Sequence, residues 1–295
     1  MGLAIEAAVI LRRKNPSVFG RVFSFKEETV KKITVTDVLK MKKQGTKIPV
    51  LTAYTYSIAR ALDSSGIPVI LVGDSVGMVE AGLSTTLPVT VDEMIYHTRA
   101  VARACSSAMV VSDMPFMSYQ ASIEDAVRNA GRLVKEGGAS AVNVEGGIKA
   151  ASVIKAIVSA DIPVMAHIGL TPQSVLALGG YKVQGREKSR AMEIVKDAKA
   201  VEKAGAFAVV LECVPTTLAA RITRLLRIPT IGIGAGPSCD GQVLVVNDML
   251  GLSDTENPLR FVKIYANLNS IIKKAVIEYK EDVENGGFPS KEHCY

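Results

Sequence analysis

The segment Ile67-Pro68-Val69-Ile70-Leu71-Val72-Gly73-Asp74 runs from a proline through four aliphatic residues to a glycine and an acid. A continuous Val/Ile/Leu run of this length suits a strand buried on both faces of a parallel sheet. Proline cannot donate to a sheet ladder, but it is tolerated at a strand's first residue and keeps its predecessor out of helix. The same Ile-Pro opening recurs at Ile48-Pro49, Ile162-Pro163 and Ile228-Pro229. The acidic ending recurs in Met109-Val110-Val111-Ser112-Asp113, Ala141-Val142-Asn143-Val144-Glu145 and Val209-Val210-Leu211-Glu212. An unpaired buried charge is expensive, so four such acids are expected to converge on one site around a hard cation.

Working outward, eight strands are predicted near 49–54, 68–73, 109–113, 141–145, 163–167, 207–212, 229–233 and 242–246. Helices are predicted over Ser122–Glu136, closed by Gly137-Gly138, over Ser189–Lys203, stopped by Gly205, and over Thr216–Leu226. The short Gly-rich gap between the seventh and eighth strands should hold a loop and no helix. Alternating strands and helices imply an α/β fold with a parallel sheet. Eight strands in this length match a (β/α)8 TIM barrel, typically ~250 residues. A doubly wound open sheet is the alternative, and no G-x-G-x-x-G follows the first strand to support its dinucleotide-binding version. An N-terminal capping helix is expected over Val35–Lys43 and a long amphipathic helix over Val262–Glu284. Residues 33–295 thus read as a single barrel domain preceded by a basic leader over 1–32.

The net charge of +6 invites a nucleic-acid reading, but +4 of it lies in residues 1–32 and the body is nearly neutral. No basic stripe interleaved with aromatics is present, so nucleic acid is not an expected partner. No apolar stretch approaches the ~20 residues of a membrane-spanning helix, and no membrane partner is expected. The leader is basic and acid-poor, with its charge after the apolar run Ala7–Leu11. That order suits an organelle transit peptide or a disordered extension better than a signal peptide. A mitochondrial location follows in the first case and a cytoplasmic one in the second. Cys105, Cys213, Cys239 and Cys294 form no C-x-x-C pair, which reads as reduced thiols and argues against zinc.

In such a barrel the active site lies at the C-terminal strand ends. Asp74, Asp113 and Glu145 end the second, third and fourth strands, and neighbouring ends ~5 Å apart let them share one ion. Oxygen-only ligands indicate Mg²⁺ or a similar hard cation. The bland alternative gives each acid a Lys, an Arg or a helix cap. Glu212, two strands from Glu145, is a candidate general base or one arm of a salt bridge across the mouth. His167 ends the fifth strand, as a substrate contact or as a packed core residue. Gly146-Gly147, Gly179-Gly180 and Gly232-Ile233-Gly234-Ala235-Gly236 allow either close approach to a ligand or tight turns.

Several stretches together resemble the ketopantoate hydroxymethyltransferase family. They are Leu71–Ser75, Thr86–Thr90, Asp113–Phe116, Glu145–Gly147, His167–Ser174, Gly179–Arg186, Leu211–Pro215 and Ile231–Gly236. The leader and the tail Lys263–Tyr295 look most like the plant-type branch. The resemblance implies a barrel assembled into a homo-oligomer, often a decamer. It implies transfer of a hydroxymethyl group from methylene-tetrahydrofolate to 3-methyl-2-oxobutanoate through a Mg-stabilised enolate, giving 2-dehydropantoate for pantothenate biosynthesis. Asp74 and Asp113 would hold Mg²⁺ directly and Glu145 through water. Asp74, Ser75, Asp113, Asn143 and His167 would contact the oxo acid, and Glu212 would be the base. Three departures from the family pattern stand out: Asn143 replaces a lysine, Thr55 an aspartate, and Leu83-Ser84 a His-Asp pair. Asn143 carries no charge, so transition-state stabilisation should weaken. Two alternatives remain open: a folate-independent carbon–carbon lyase or aldolase on another 2-oxo acid, and a non-catalytic keto-acid-binding barrel.

Overall fold

The computed structural model describes residues 31–253 and 259–295. The basic leader therefore falls almost wholly outside the described residues. Helix α1 (Val35–Gln44) starts at a capping box in which Thr34 and Asp37 satisfy each other's backbone N–H, and it ends at left-handed Gly45. Strand β1 (Ile48–Thr52), α2 (Tyr56–Ser64), β2 (Val69–Val72), the single turn α3 (Val76–Val79), α4 (Val91–Ala104) and β3 (Met109–Asp113) follow. Next come α5 (Ile123–Lys135), β4 (Ala141–Glu145), α6 (Ala151–Ser159), β5 (Val164–Gly169), the short α7 (Val175–Leu178), α8 (Lys188–Ala204) and β6 (Ala208–Glu212). Then α9 (Thr216–Leu225), β7 (Thr230–Ile233), β8 (Gly241–Leu244), the short α10 (Val246–Met249) and α11 (Leu268–Glu284) complete the order. All eight strands pair in parallel in chain order, and β1 closes on β8 through Ile48 opposite Gly241. The (β/α)8 barrel is the observed fold, and the open-sheet alternative is excluded.

The Ile-Pro strand starts have a direct reason. The carbonyls of Pro68, Pro163 and Pro229 accept from Met109, Val142 and Val209 at 2.9, 3.0 and 2.9 Å. Each proline contributes its acceptor to the ladder from a position where no donor is needed. Alternation along the strands then splits the core in two. Ile70, Val72, Val110, Val142, Val144 and Val209 pack outward against the helices. Val69, Leu71, Met109, Val111, Ala141, Met165, Ala208 and Val210 fill the interior. Val38 of α1 is fully buried in that inner cluster, so α1 plugs the N-terminal end, tied down by Lys42 to Asp240 at 2.7 Å. With the lower end plugged, the acids at the opposite strand ends line the open mouth.

Two of the boundaries that differ from the sequence reading have a direct structural cause. The last helix begins at Leu268 because the Asn267 side chain caps it, accepting from Ser270 N–H at 3.1 Å, so Val262 and Ala266 lie before it. None of its side chains is buried, and Ile271, Ile272 and Val276 are exposed. The eighth strand ends at Leu244 because Val246 opens α10, its N–H donating to Thr52 Oγ1 at 3.0 Å.

Asp63 fixes the approach to β3. It is buried and accepts from the backbone N–H of Ser106, Ser107 and Ala108 and from both serine hydroxyls, at 2.7–3.0 Å. Burial pushes its carboxyl up, but the bonds from Ser107, Ala108 and Ser106 outweigh that and hold it well below the usual range. The folded protein thus binds fewer protons here than the unfolded chain. The stabilisation is complete above the unfolded value of about 4 and is lost as pH falls toward the folded one. Asp63→Ala should cost on the order of 2–4 kcal/mol at neutral pH. In urea melts taken between about pH 2 and pH 5, the variant should lose stability with acid less steeply than wild type. Parallel curves would contradict this role.

Candidate active site

The mouth is assembled by register. Asp113 and Asn143 are direct neighbours across β3 and β4, Glu145 pairs with His167, and Glu212 pairs with Gly169. Inward alternation carries Asp113, Asn143, Glu145, His167 and Glu212 to the barrel axis. Asp74 follows β2 after Gly73, where a Cβ would stand 2.6 Å from Ser75 Oγ and 3.4 Å from Asp113 Oδ2. The glycine lets the chain close on Asp113, whose Oδ2 accepts the Asp74 N–H at 2.9 Å. Asn143 Nδ2 donates to Asp113 Oδ1 at 2.9 Å. Gly169, at φ +96°, has no room for a Cβ because the Glu212 carbonyl lies against it.

Gln173 links the second and fourth strands' acids. Its Nε2 donates to Asp74 Oδ2 at 2.8 Å and to the Met114 carbonyl at 2.9 Å. Its backbone N–H donates to Glu145 Oε2 at 3.0 Å. His167 sits between two carboxylates, with Nδ1 3.9 Å from Glu145 Oε1 and Nε2 3.0 Å from Glu212 Oε2. The second is an ion-pair distance, but Nε2 has no hydrogen-bond partner, because the N–H direction misses the carboxylate. Asn143 Oδ1 is likewise buried without a donor. Ser75 Oγ meets the hydroxyl of Tyr54 at 2.8 Å.

Asp74, Asp113 and Glu145 are all buried. Burial, followed by the charge of Asp113, pushes the Asp74 carboxyl well up. Burial also raises Asp113, against its bonds from Asp74 and Asn143. Burial and the charges of Asp74 and Asp113 push Glu145 well up. Among the described residues no Lys or Arg forms an ion pair with any of these acids or with Glu212. The bland alternative, in which each acid has its own cationic partner, therefore does not describe this site.

Among the described residues no three His, Cys, Asp or Glu side chains already converge as a metal cage. The donor set still fits a hard divalent cation of the Mg²⁺ type, which takes one or two carboxylates and keeps several waters. Asp74 and Glu145 each have one oxygen tied to Gln173 and one without a protein donor. Asp113 has both oxygens engaged, Oδ2 by the Asp74 N–H and Oδ1 by Asn143 Nδ2, so an ion there would share those oxygens with their donors.

The glycine groups divide. A Cβ on Gly147 would run into Asp197, and one on Gly236 would stand 2.6 Å from Thr216 Oγ1, so both are close-packed turns and not ligand cradles. Gly179 and Gly180, both left-handed, lead to the exposed Tyr181, whose phenol is raised by partial burial and by the charges of Asp74, Glu212 and Glu145. Sequence reasoning assigned no role to Gln173, Tyr119 or Tyr54. Gln173 lies inside the His167–Ser174 stretch, and its signal was a polar residue just past a strand end.

A family model described as ketopantoate hydroxymethyltransferase matches residues 32–291. The chain is 58% identical over 265 residues to the 3-methyl-2-oxobutanoate hydroxymethyltransferase of Pelobacter propionicus, covering 90% of this chain and 98% of that one. It is 57% identical over 264 residues to the enzyme of the same name from Clostridium novyi, covering 90% and 96%. Among solved structures, phosphonopyruvate hydrolase in complex with oxalate and Mg²⁺ superposes with a TM-score of 0.56 at 16% identity, over 88% of this chain and 93% of that one. A 2,3-dimethylmalate lyase of the PEP mutase/isocitrate lyase superfamily gives 0.55 at 18% identity, over 88% and 90%. Those two likenesses concern the barrel alone, whereas the extent of the sequence match places this chain in the ketopantoate hydroxymethyltransferase family.

Proposed function

We propose that the barrel mouth transfers a hydroxymethyl group to 3-methyl-2-oxobutanoate, giving 2-dehydropantoate for pantothenate biosynthesis. The observation that carries this reading is the cluster of buried acids at the strand ends of a chain belonging to this family. A Mg²⁺ held by Asp74 and Asp113, with Glu145 through water, would supply Lewis-acid polarisation of the oxo acid's carbonyl. Ser75 lies beside Asp74 and offers its hydroxyl to the substrate carboxylate. Asn143 and His167 complete the wall, each with a buried polar atom that lacks a partner within the protein.

Glu212 is the general base in this reading. Its carboxylate is partly exposed at 14% and held near His167, so it can reach the C–H of the branched carbon beside the ketone. It takes that proton, and the electron pair left on carbon forms the new C–C bond to the one-carbon unit. With methylene-tetrahydrofolate as donor, both C–N bonds to that carbon break, water supplies the hydroxyl oxygen, and tetrahydrofolate leaves with the proton from Glu212 and one from water. Methylene-tetrahydrofolate as donor belongs to the proposal. A cleft of about 470 Å³ beside the ends of β4 and β5 is lined by Lys149, Arg190 and Lys196 and also by Glu193 and Asp197, with Arg190 paired to Glu193, so its charge is mixed and it does not identify the co-substrate. The exposed apolar row Ile271, Ile272 and Val276 on α11 supports a homo-oligomer. A mitochondrial location belongs to the leader, and import of a leader fusion into isolated mitochondria would test it. The family match favours the transferase over a folate-independent lyase and over a non-catalytic barrel.

The most direct test follows deuterium exchange at the branched carbon of 3-methyl-2-oxobutanoate in D₂O, with and without Mg²⁺. Exchange should require the ion, and Glu212→Gln should slow it by roughly 10²–10⁴-fold. Exchange at the wild-type rate in that variant would remove Glu212 from the base role. Asn143→Lys would put an ammonium against Asp113, where the amide now donates at 2.9 Å, so it should weaken Mg²⁺ binding as well as change turnover. An unchanged Mg²⁺ affinity would argue against Asp113 as a ligand of the ion. The raised carboxyls of Asp74, Asp113 and Glu145 bind protons as the ion-free protein folds, so its stability should fall as pH rises above about 4, the unfolded value. A divalent ion competes with those protons. The gain in Tm from Mg²⁺ should therefore be larger at pH 8 than at pH 6, and a constant or shrinking gain would contradict the shared site.

A further inference from the structure

We propose that Gln173 is a positioning residue that sets the divalent site by holding Asp74 and Glu145 in a fixed relation. The proposal rests on the divalent reading above and concerns a residue that touches neither the substrate nor the ion in that reading. Gln173 is buried at 6% exposure and reaches its partners from three sides. Its Nε2 donates to Asp74 Oδ2, and its backbone N–H donates to Glu145 Oε2. One residue thus fixes one oxygen on each of two acids that come from different strands. The other oxygen of each is left turned away from that bond.

The orientation of the amide is determined by its surroundings. Its Oε1 accepts from the Tyr119 hydroxyl at 2.7 Å and from Gln120 Nε2 at 3.1 Å. The opposite orientation would aim Oε1 at the Asp74 carboxylate and the Met114 carbonyl, and Nε2 at the Gln120 amide hydrogens. The Tyr119 hydroxyl also lies 3.2 Å from the Glu145 carbonyl, but its single proton belongs to the shorter bond to Gln173. The link from β4 to the acid beyond β2 runs through Gln173 itself, from Glu145 by the backbone N–H to Asp74 by the amide. Partners that orient metal ligands in this way commonly govern affinity as strongly as some ligands do.

The local chain supports the role. Pro172 starts a single 3-10 turn over Pro172–Ser174, and Ser174 N–H closes it on the Thr171 carbonyl at 2.9 Å. That turn points the Gln173 N–H at Glu145 and leaves its side chain free to cross the mouth to Asp74.

Gln173→Met removes the amide, keeps the length and leaves the backbone donor to Glu145 in place. Mn²⁺ binding to the ion-free protein, read by electron paramagnetic resonance of the free ion, needs no turnover. Measured where the variant is fully folded, the dissociation constant should rise on the order of 10–100-fold, and raising Mg²⁺ should recover much of the lost enolisation rate. Tyr119→Phe, which removes only the orienting hydroxyl, should weaken binding in the same direction by a smaller factor. An unchanged dissociation constant in folded Gln173→Met would overturn the proposal. Should that variant not fold, an unchanged constant in Tyr119→Phe would do so. If wild type takes up no Mn²⁺, the divalent reading and this role fall together. If wild type and both variants bind alike, only the role of Gln173 falls.

Discussion

Crowding of carboxylates in a low-dielectric barrel mouth is the constraint on which the site depends. Two carboxylates about 4 Å apart repel by roughly 4 kcal/mol at an effective dielectric near 20, and burial adds its own penalty. Asp74, Asp113 and Glu145 are buried together, with Glu212 beyond His167 and no Lys or Arg pairing with them among the described residues. Such an arrangement persists only if protons or a cation neutralise it. The uncharged donors around the acids, from Asn143, Gln173 and the Asp74 backbone, orient the oxygens without cancelling their charge. The mouth therefore holds buried carboxylates whose charge no Lys or Arg among the described residues cancels, which is the opening the proposed cation would fill.

The barrel makes that mouth affordable. Its outer layer, where Ile70, Val110, Val142 and Val209 meet the helices, buries apolar surface on a scale that tolerates a costly mouth. The interior below the acids is closed by Met109, Met165, Phe207 and Val38, so strain at the top is not relieved by water from beneath. Gly169 marks where the chain comes too close for any side chain, against the Glu212 carbonyl, and at Gly73 a Cβ would meet the Ser75 hydroxyl. Stability resides in one layer and chemistry in another, joined by strands that alternate between them.

Much of this was legible in the sequence because it is local. The Ile-Pro openings mark the starts of β1, β2, β5 and β7 and the acids mark the ends of β2, β3, β4 and β6, and alternation then assigns the faces. The co-location of Asp74, Asp113, Glu145 and Glu212 follows from those strand ends, while β8 carries neither mark and was read from its place after the Gly-rich loop. The start of the last helix was misread because its apolar spacing continues upstream through Ala266, whereas the cap at Asn267 decides where helical hydrogen bonds begin. Gln173 was not legible as a hub, because its partners lie 28 and 99 residues away and nothing in a 3-10 turn announces them. Asn143 was noticed as a departure. The sequence did not show that its amide would be spent on Asp113, leaving its carbonyl oxygen without a donor.

The central claim is that a single divalent cation neutralises the acids of the mouth. Anomalous diffraction from crystals grown with Mn²⁺ locates such an ion without reference to activity. The account predicts one strong peak within coordination distance of both Asp74 and Asp113, with Glu145 in the next layer of ligands. A map with no peak there, or with the ion seated away from these two aspartates, would contradict it.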